Sequence, residues 1–415
     1  MRFCIHRGTQ EIGGSCVELE AQGVRILLDL GQPLYATEPT PDLLPNVPGL
    51  SKGEDPSLLG IVLSHSHRDH WGLIPLACPD LPVTMGAATH RIMQAAASFV
   101  PGMAMPSAVR IMADRETFDL GPFRITPFTV DHSAYDAYAL LVEADGQRLF
   151  YSGDLRAHGR KGALFGRMVR TPPAHVDVLL LEGTTLGRPQ RTAGLPTEAE
   201  IEERFVDTFA AGSGLVLVCA SAQNIDRMVS IYRAAKRTGR TLLIDLYAAE
   251  MLRATGNPNI PQSFWPNVAL FTPQYQRRQI MEKSLFAILD RHKSNRLFPE
   301  ALKARAPDLV MLFRPAMLYD LQRADCLSGA SAVWSQWDGY LAEDRGVALR
   351  AALDTANIPL TAIHTSGHAS LVDLQRLAAA MKPKSIVPIH SLEGHNYPLW
   401  FDNVAACADG EWKEI

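Results

Sequence analysis

Apolar and polar positions follow two different rhythms along the chain, and the change of rhythm divides it. In the first part, short apolar runs end in Gly, Asp or His: "VRILLDLG" at 24–31, "GIVLSH" at 60–65, "ITPFTVDHS" at 125–133 and "VDVLLLEG" at 176–183. Runs of this length, rich in Val, Ile and Leu and closed by turn residues, predict buried strands. "YALLVEADGQRLFYSGD" at 138–154 holds two such runs on either side of Asp145-Gly146. That pair favours a type I′ hairpin, whose two central residues need positive φ.

After Gly187 the period lengthens. Thr197-x-x-Glu200 is a capping box that opens an amphipathic helix running to Gly212, and "LVLVCA" at 215–220 follows. Asn224 then caps a second helix, with Ile225, Met228, Val229 and Tyr232 on one face and Gly239 as its stop, before "TLLID" at 241–245. Helix, strand, helix, strand predicts a parallel sheet with crossover connections, hence a second domain. It continues through "VALF" (268–271) and "DLVMLF" (308–313) to "SAVWSQW" (331–337). Near Ile358 a further unit begins, in which "LTAIHTSGHAS" leads into a helix over 370–382 and the strand "SIVPIH" at 385–390.

Composition narrows the class without naming it. The chain has 415 residues, 47% hydrophobic and 20% charged, which fits a soluble globular protein of about two domains. No apolar run reaches the ~18 residues of a membrane helix and no secretory signal is visible, so no membrane partner is expected. The six cysteines are scattered with no C-x-x-C pair, which suits a reducing, cytoplasmic setting. A net charge of −4 argues against a protein that coats nucleic acid through a broad basic field. The segment 190–358 carries only a slight excess of Lys and Arg over Asp and Glu, and its basic stretches, such as "KRTGR" at 236–240, read first as solvated faces.

The chemistry is concentrated in "HSHRDH" at 65–70, which spends three of the thirteen histidines and a carboxylate on six residues. His65 and His67, two apart in extended backbone, can point the same way, while Asp69 and His70 lie past a turn. One metal cannot accommodate all four from so short a segment, but two metals ~3.5–4 Å apart can share them. Further ligands should then sit at strand ends, and His132, Asp154 and His390 each close a predicted strand.

His65-x-His67-x-Asp69-His70, His132, Asp154 and His390 resemble the ligand set of the metallo-β-lactamase fold, in the order that fold uses. "GTQEIGGSC" (8–16) and "LLDLG" (27–31) resemble its opening strands and loop. Between Asp154 and His390, the inserted domain and "HTSGHAS" (364–370) resemble the β-CASP branch, the nucleases of the ribonuclease J and cleavage-and-polyadenylation type. The resemblance implies an α/β fold: an αββα sandwich in two parts, 1–189 and 358–415, interrupted by a parallel-sheet α/β insert over 190–357. It also implies two zinc ions, with manganese as an alternative. His65, His67 and His132 would hold one, Asp69, His70 and His390 the other, and Asp154 would bridge them.

By the same resemblance, Glu182 and His368 are catalytic, as the acidic residue after the bridging Asp and the His of the H-x-S-G-H pattern. "HTSGHAS" also precedes a helix, whose N-terminal amides make a phosphate site, so Ser366, Gly367 and His368 are expected to hold substrate phosphate. Ser221, Asn224 and Arg227 in "SAQNIDR" are expected to meet a terminal phosphate, since the segment resembles the corresponding ribonuclease J loop. The implied reaction is hydrolysis of RNA phosphodiesters by a metal-bridging hydroxide oriented by Asp69 and Asp154, endonucleolytic and in part 5′-exonucleolytic. His368 would protonate the leaving oxygen and Glu182 would orient it. Single-stranded RNA is the expected partner. Single-stranded DNA, or a small ester or thioester, is the alternative substrate. Ribonuclease J continues into a C-terminal domain, whereas this chain ends 25 residues after His390. That domain is expected to be absent, and any homodimer to use another surface.

Overall fold

In the computed structural model, the described residues are 1–100, 103–188 and 194–415. The expected 189/190 boundary lies outside them. The chain forms two compact units, one from 1–93, 102–195 and 367–415, the other from 94–101 and 196–366.

The first unit is a sandwich of two sheets. One has seven strands in the spatial order Trp412–Glu414, Arg2–Arg7, Cys16–Ala21, Val24–Leu28, Leu58–Val62, Val83–Gly86, Val109–Met112. The other has six: Ser385–Ile389, Val178–Glu182, Gln147–Tyr151, Tyr138–Ala144, Phe123–Thr129, Phe118–Leu120. Period-two alternation sends alternate residues of each strand to opposite faces. Leu140 and Val142 join Phe3, Ile5, Val17, Leu19 and Ile26 in the core between the sheets. Ala139 and Leu141 face the other way, into a layer formed with Phe165 and Met168 of the helix Gly162–Arg170 and Leu374 and Leu377 of the helix Leu371–Met381. Leu27 and Ile61 likewise face outward, against Trp71, Leu73 and Met93. Both sheets are therefore covered on both faces.

The hairpin forms as its sequence requires. Ala144 pairs with Gln147, and Asp145 and Gly146 sit at φ 52° and 75°. In the six-stranded sheet, Gln147–Tyr151, Val178–Glu182 and Ser385–Ile389 run parallel, with Tyr151 beside Leu180 and Leu180 beside Val387. Their C-terminal ends lie side by side, so the residues at and just beyond those ends are gathered along one edge of the sandwich.

The second unit has an all-parallel sheet in the order Val268–Leu270, Thr241–Ile244, Leu309–Leu312, Val216–Cys219, Ser331–Trp334, Leu360–Ala362. Its four inner strands are near-continuous apolar runs because both faces are covered. The helix Glu198–Ala211 starts in the expected capping box, with both reciprocal hydrogen bonds made between Thr197 and Glu200. Asn224 accepts from the Arg227 amide and opens Ile225–Arg237. Leu360–Ala362 differs from the sequence reading, which starts a new unit near Ile358. Its backbone pairs with Ser331–Trp334 at the edge of the parallel sheet, and the first unit resumes only at Gly367. A three-residue strand carries too little apolar pattern to declare its partner. Among the described residues, no helix is long and apolar enough to cross a membrane, and all six cysteines are free.

Candidate metal centre

Each ligand-type side chain expected at the site follows a strand of the sandwich. His65 comes three residues after Leu58–Val62, and His67 caps the single-turn helix Arg68–Trp71 that carries Asp69 and His70. His132 follows Phe123–Thr129, Asp154 follows Gln147–Tyr151, and His390 directly follows Ser385–Ile389. The structure brings all seven together. Ligand atoms of His65, His67, His132 and Asp154 lie within 4.8 Å of one another, as do those of Asp69, His70 and His390. Asp154 Oδ2 sits 3.7 Å from His65 Nε2, 3.2 Å from His70 Nε2 and 3.9 Å from His132 Nε2, and its Oδ1 is 3.8 Å from His390 Nδ1. A third group with atoms as close consists of Asp154, Glu182, His368 and His390, so Glu182 and His368 are also within reach of a metal.

The outer partners of the imidazoles suit metal ligation. His70 Nδ1 is 2.7 Å from Asp29 Oδ2, His65 Nδ1 3.0 Å from Ser64 Oγ, His132 Nδ1 2.7 Å from the Gly367 carbonyl and His390 Nδ1 2.9 Å from Thr184 Oγ1. Such partners fix ring orientation and tautomer. Inside, the fully buried Nε2 atoms of His65 and His70 and both carboxylate oxygens of Asp154 make no hydrogen bond. Buried polar atoms are rarely left so, and four of them turned toward one point fit a cation.

Protonation favours the same reading. Burial, with the neighbouring imidazoles, holds His65 and His132 well below the usual histidine range, and burial takes His67 down to about 4 against the pull of Asp69 and Asp154. These rings are neutral near pH 7, the form that donates a lone pair. Burial acts on His70 in the same sense, but Asp154 and Asp29 outweigh it and hold that ring well above its ordinary value. Burial also opposes ionisation of Asp69 and Asp154, yet His390 and His70 keep both carboxyls below the usual range.

Asp29 is a residue beside the centre that the sequence reading passes over. It accepts from Ser64 N, Ser64 Oγ and the Tyr151 hydroxyl, each at 2.7 Å, and faces His70. The signal was present, since Asp29 closes the run "VRILLD" as Asp154 closes "RLFYSGD".

Glu182 ends the strand Val178–Glu182, with Oε2 3.4 Å from His368 Nδ1, and it accepts from the amides of Leu155 and Thr184. His368 Nδ1 is also 3.8 Å from Asp154 Oδ2, and its side chain is 19% exposed, so one edge reaches solvent. Burial opposes protonation of His368, but Glu182 and Asp154 raise its pKa above the ordinary value. Gly367 lies so close that an added Cβ would stand 2.6 Å from Ser133 Oγ and 3.6 Å from His132 Cε1. Its carbonyl is committed to His132. Ser366 is half-buried in the loop before it.

The "SAQNIDR" residues are placed differently. Ser221 is exposed and accepts from the Gln223 amide, and Asn224 is a helix cap. Arg227 is 0% exposed, with Nε 3.2 Å and Nη2 2.9 Å from the Glu198 carboxylate and further bonds to Ser335 and the Thr365 carbonyl. Its position is that of a brace inside the parallel-sheet unit. A buried guanidinium needs partners on every side, and these have taken it from solvent.

Known proteins are similar to this chain in sequence or in fold. Residues 25–205 match the beta-lactamase superfamily domain. The chain is 30% identical over 245 residues to ribonuclease J of Mycobacterium tuberculosis, covering 56% of this chain and 42% of that protein. It is 23% identical over 416 residues to ribonuclease J of Helicobacter pylori, covering 94% and 55% respectively. An RNase J-like protein of Methanocaldococcus jannaschii is 24% identical over 265 residues, 60% of this chain and 59% of that one. The chain thus spans about half the length of the curated relatives it matches. In fold, it matches a crystallised protein of unknown function from Enterococcus faecalis with a TM-score of 0.77 at 19% identity, over 99% of both chains.

Proposed function

We propose that this chain, whose residues 25–205 match the beta-lactamase superfamily domain and which is similar to ribonuclease J, is a metal-dependent ribonuclease that hydrolyses phosphodiester bonds of single-stranded RNA. The observation that carries this reading is that His65 Nε2, His70 Nε2 and both Asp154 carboxylate oxygens are buried together without a hydrogen bond, flanked by the Glu182–His368 pair. His65, His67, His132 and Asp154 would hold one zinc, and Asp69, His70, His390 and Asp154 the other, with manganese as the alternative ion. Two such ions, when bound, supply Lewis acidity toward the phosphoryl oxygens and lower the pKa of a coordinated water toward neutrality.

The chain's own groups do the rest. The carboxylates of Asp69 and Asp154 orient the attacking water. With Nδ1 turned toward Glu182, His368 presents Nε2 to the scissile phosphate and donates its proton there to the leaving 3′-oxygen. The carboxylates behind it favour the protonated form, as that task needs. The Gly367 amide holds a phosphate oxygen beside it. We assign the parallel-sheet unit the task of gripping the strand. The six free thiols fit a reducing compartment.

The test is incubation of zinc-loaded protein with 5′-monophosphorylated, 5′-triphosphorylated and circular RNAs, single-stranded DNA and a thioester, with His65→Ala as control. Cleavage of the circle establishes endonuclease action, and preference for the monophosphorylated end establishes 5′-exonuclease action. Hydrolysis of the thioester with every nucleic acid inert would end the reading. Light scattering during gel filtration decides whether the protein is a homodimer.

A further inference from the structure

Two residues outside the three groups of ligand atoms join the segments that carry His132 and Asp154. Asp131 precedes His132, and Arg156 follows Asp154 by two residues; both are 0% exposed. Arg156 Nε is 3.4 Å from Asp131 Oδ1, and the backbones are tied as well, with Arg156 N donating to the Asp131 carbonyl at 2.6 Å. The Gly159 amide donates to Asp131 Oδ2 at 2.7 Å, and Lys161 Nζ to the Ala134 carbonyl at 3.1 Å. Gly159 must lack a side chain, since a Cβ there would stand 2.3 Å from Asp131 Oδ1 and 2.5 Å from Arg156 Nε. The loop after Gln147–Tyr151 is thus wrapped round the Asp131 carboxylate.

One side of the pair is apolar. Asp131 and Arg156 border a void of about 10 Å³ whose other walls include Val130, Ala139, Phe150, Phe165, Met168 and Leu377. A buried ion pair is a poor source of stability, because desolvation offsets most of the attraction and an apolar pair of equal volume would serve as well. What the pair provides, and an apolar contact does not, is a directional link of defined length. In a low-dielectric setting that link is stiff. Its two ends lie one and two residues from His132 and Asp154, whose ligand atoms are 3.9 Å apart.

We propose that the Asp131–Arg156 pair is a positioning device that sets the separation of His132 and Asp154, and so the affinity and geometry of the metal position those two residues share. The inference rests on the metal-centre reading, but not on RNA being the substrate. Its consequence is specific. Disturbing the pair should loosen chiefly the position held by His65, His67, His132 and Asp154, which contains both positioned ligands, and affect less the one held by Asp69, His70 and His390, which shares only Asp154.

The experiment compares wild type with Asp131→Asn, Arg156→Gln and the double variant, which removes both charges and so leaves neither buried alone. Zinc stoichiometry at buffered free zinc and the visible spectrum of the cobalt-substituted protein are read alongside kcat and KM on RNA, in samples whose circular dichroism matches wild type. The expected result is a loss of affinity of about 10–100-fold for one of two ions, the range seen when outer partners of ligands are removed. The cobalt spectrum should change, and kcat should fall with KM little altered. The double variant should show the same metal phenotype with a higher melting temperature than either single one. Should the single variants fail to fold, the double variant decides alone. A folded variant with two ions at wild-type affinity and an unchanged cobalt spectrum would overturn the proposal, whatever its melting temperature. So would a wild-type protein that binds no metal. If wild type binds two ions yet cleaves no RNA, the ribonuclease reading fails while the metal readouts still decide this one.

Discussion

At the scale of single residues, the centre depends on groups that never meet a substrate. Asp29, at φ 61°, spends one oxygen on the Ser64 amide and the other on Ser64 Oγ, Tyr151 and His70. Asp29→Asn keeps the shape but puts a donor where an acceptor is needed, so it should lower zinc affinity by roughly 10–100-fold, measured by competition with a chromophoric chelator. A second residue-scale prediction concerns Glu250, 2% exposed, with His292, Arg253 and Arg291 on its carboxylate. Burial opposes its ionisation, but those hydrogen bonds win and bring its pKa down to about 2. A folded-state pKa below the unfolded value of about 4.5 means stability that is full above pH ~4.5 and is lost as pH falls toward 2. Glu250→Gln should therefore cost about 1–2 kcal/mol at pH 7, after allowance for partly exposed partners, and almost nothing at pH 2. Urea titrations at the two pH values check it.

At the scale of elements, legibility tracked how local the cause was. The Asp145-Gly146 hairpin and the Thr197–Glu200 capping box were readable because each is decided within a few residues. Thr197→Ala removes both the amide acceptor and the reciprocal geometry, and should destabilise Glu198–Ala211 by ~0.5–2 kcal/mol in urea unfolding. Leu360–Ala362 was not readable, because its place at the edge of the parallel sheet is set by Ser331–Trp334, some thirty residues away. Arg227 belongs to the same class. Its position at the start of a helix after a strand suggested a phosphate contact, but Glu198, Ser335 and Thr365 close round it from three distant segments.

At the scale of the molecule, a metal held by these residues would be coupled to the fold. Buried ligand atoms without partners are costly when no cation is present, and a cation bound only by the folded chain stabilises it by mass action. Removing metal with a chelator should lower the melting temperature by several degrees, and readdition of zinc should restore it with a stoichiometry near two per chain. Calorimetry on stripped and reloaded protein tests this.

The sequence by itself determined the kinds of element, the change from an alternating to a helical rhythm, and the chemistry of the cluster, because period, turn residues and ligand types act locally. Four ligand-type residues could be chosen from the cluster at 65–70 and three more from strand ends for that reason. Tertiary structure alone decided which strand ends became neighbours: parallel pairing puts Asp154, Glu182 and His390 side by side although 236 positions separate the first from the last. It also recruited Asp29, Gly367 and the Asp131–Arg156 pair, whose roles exist only where separate segments meet. Spacing along the chain can nominate a ligand, but the partner on its other nitrogen is chosen by packing.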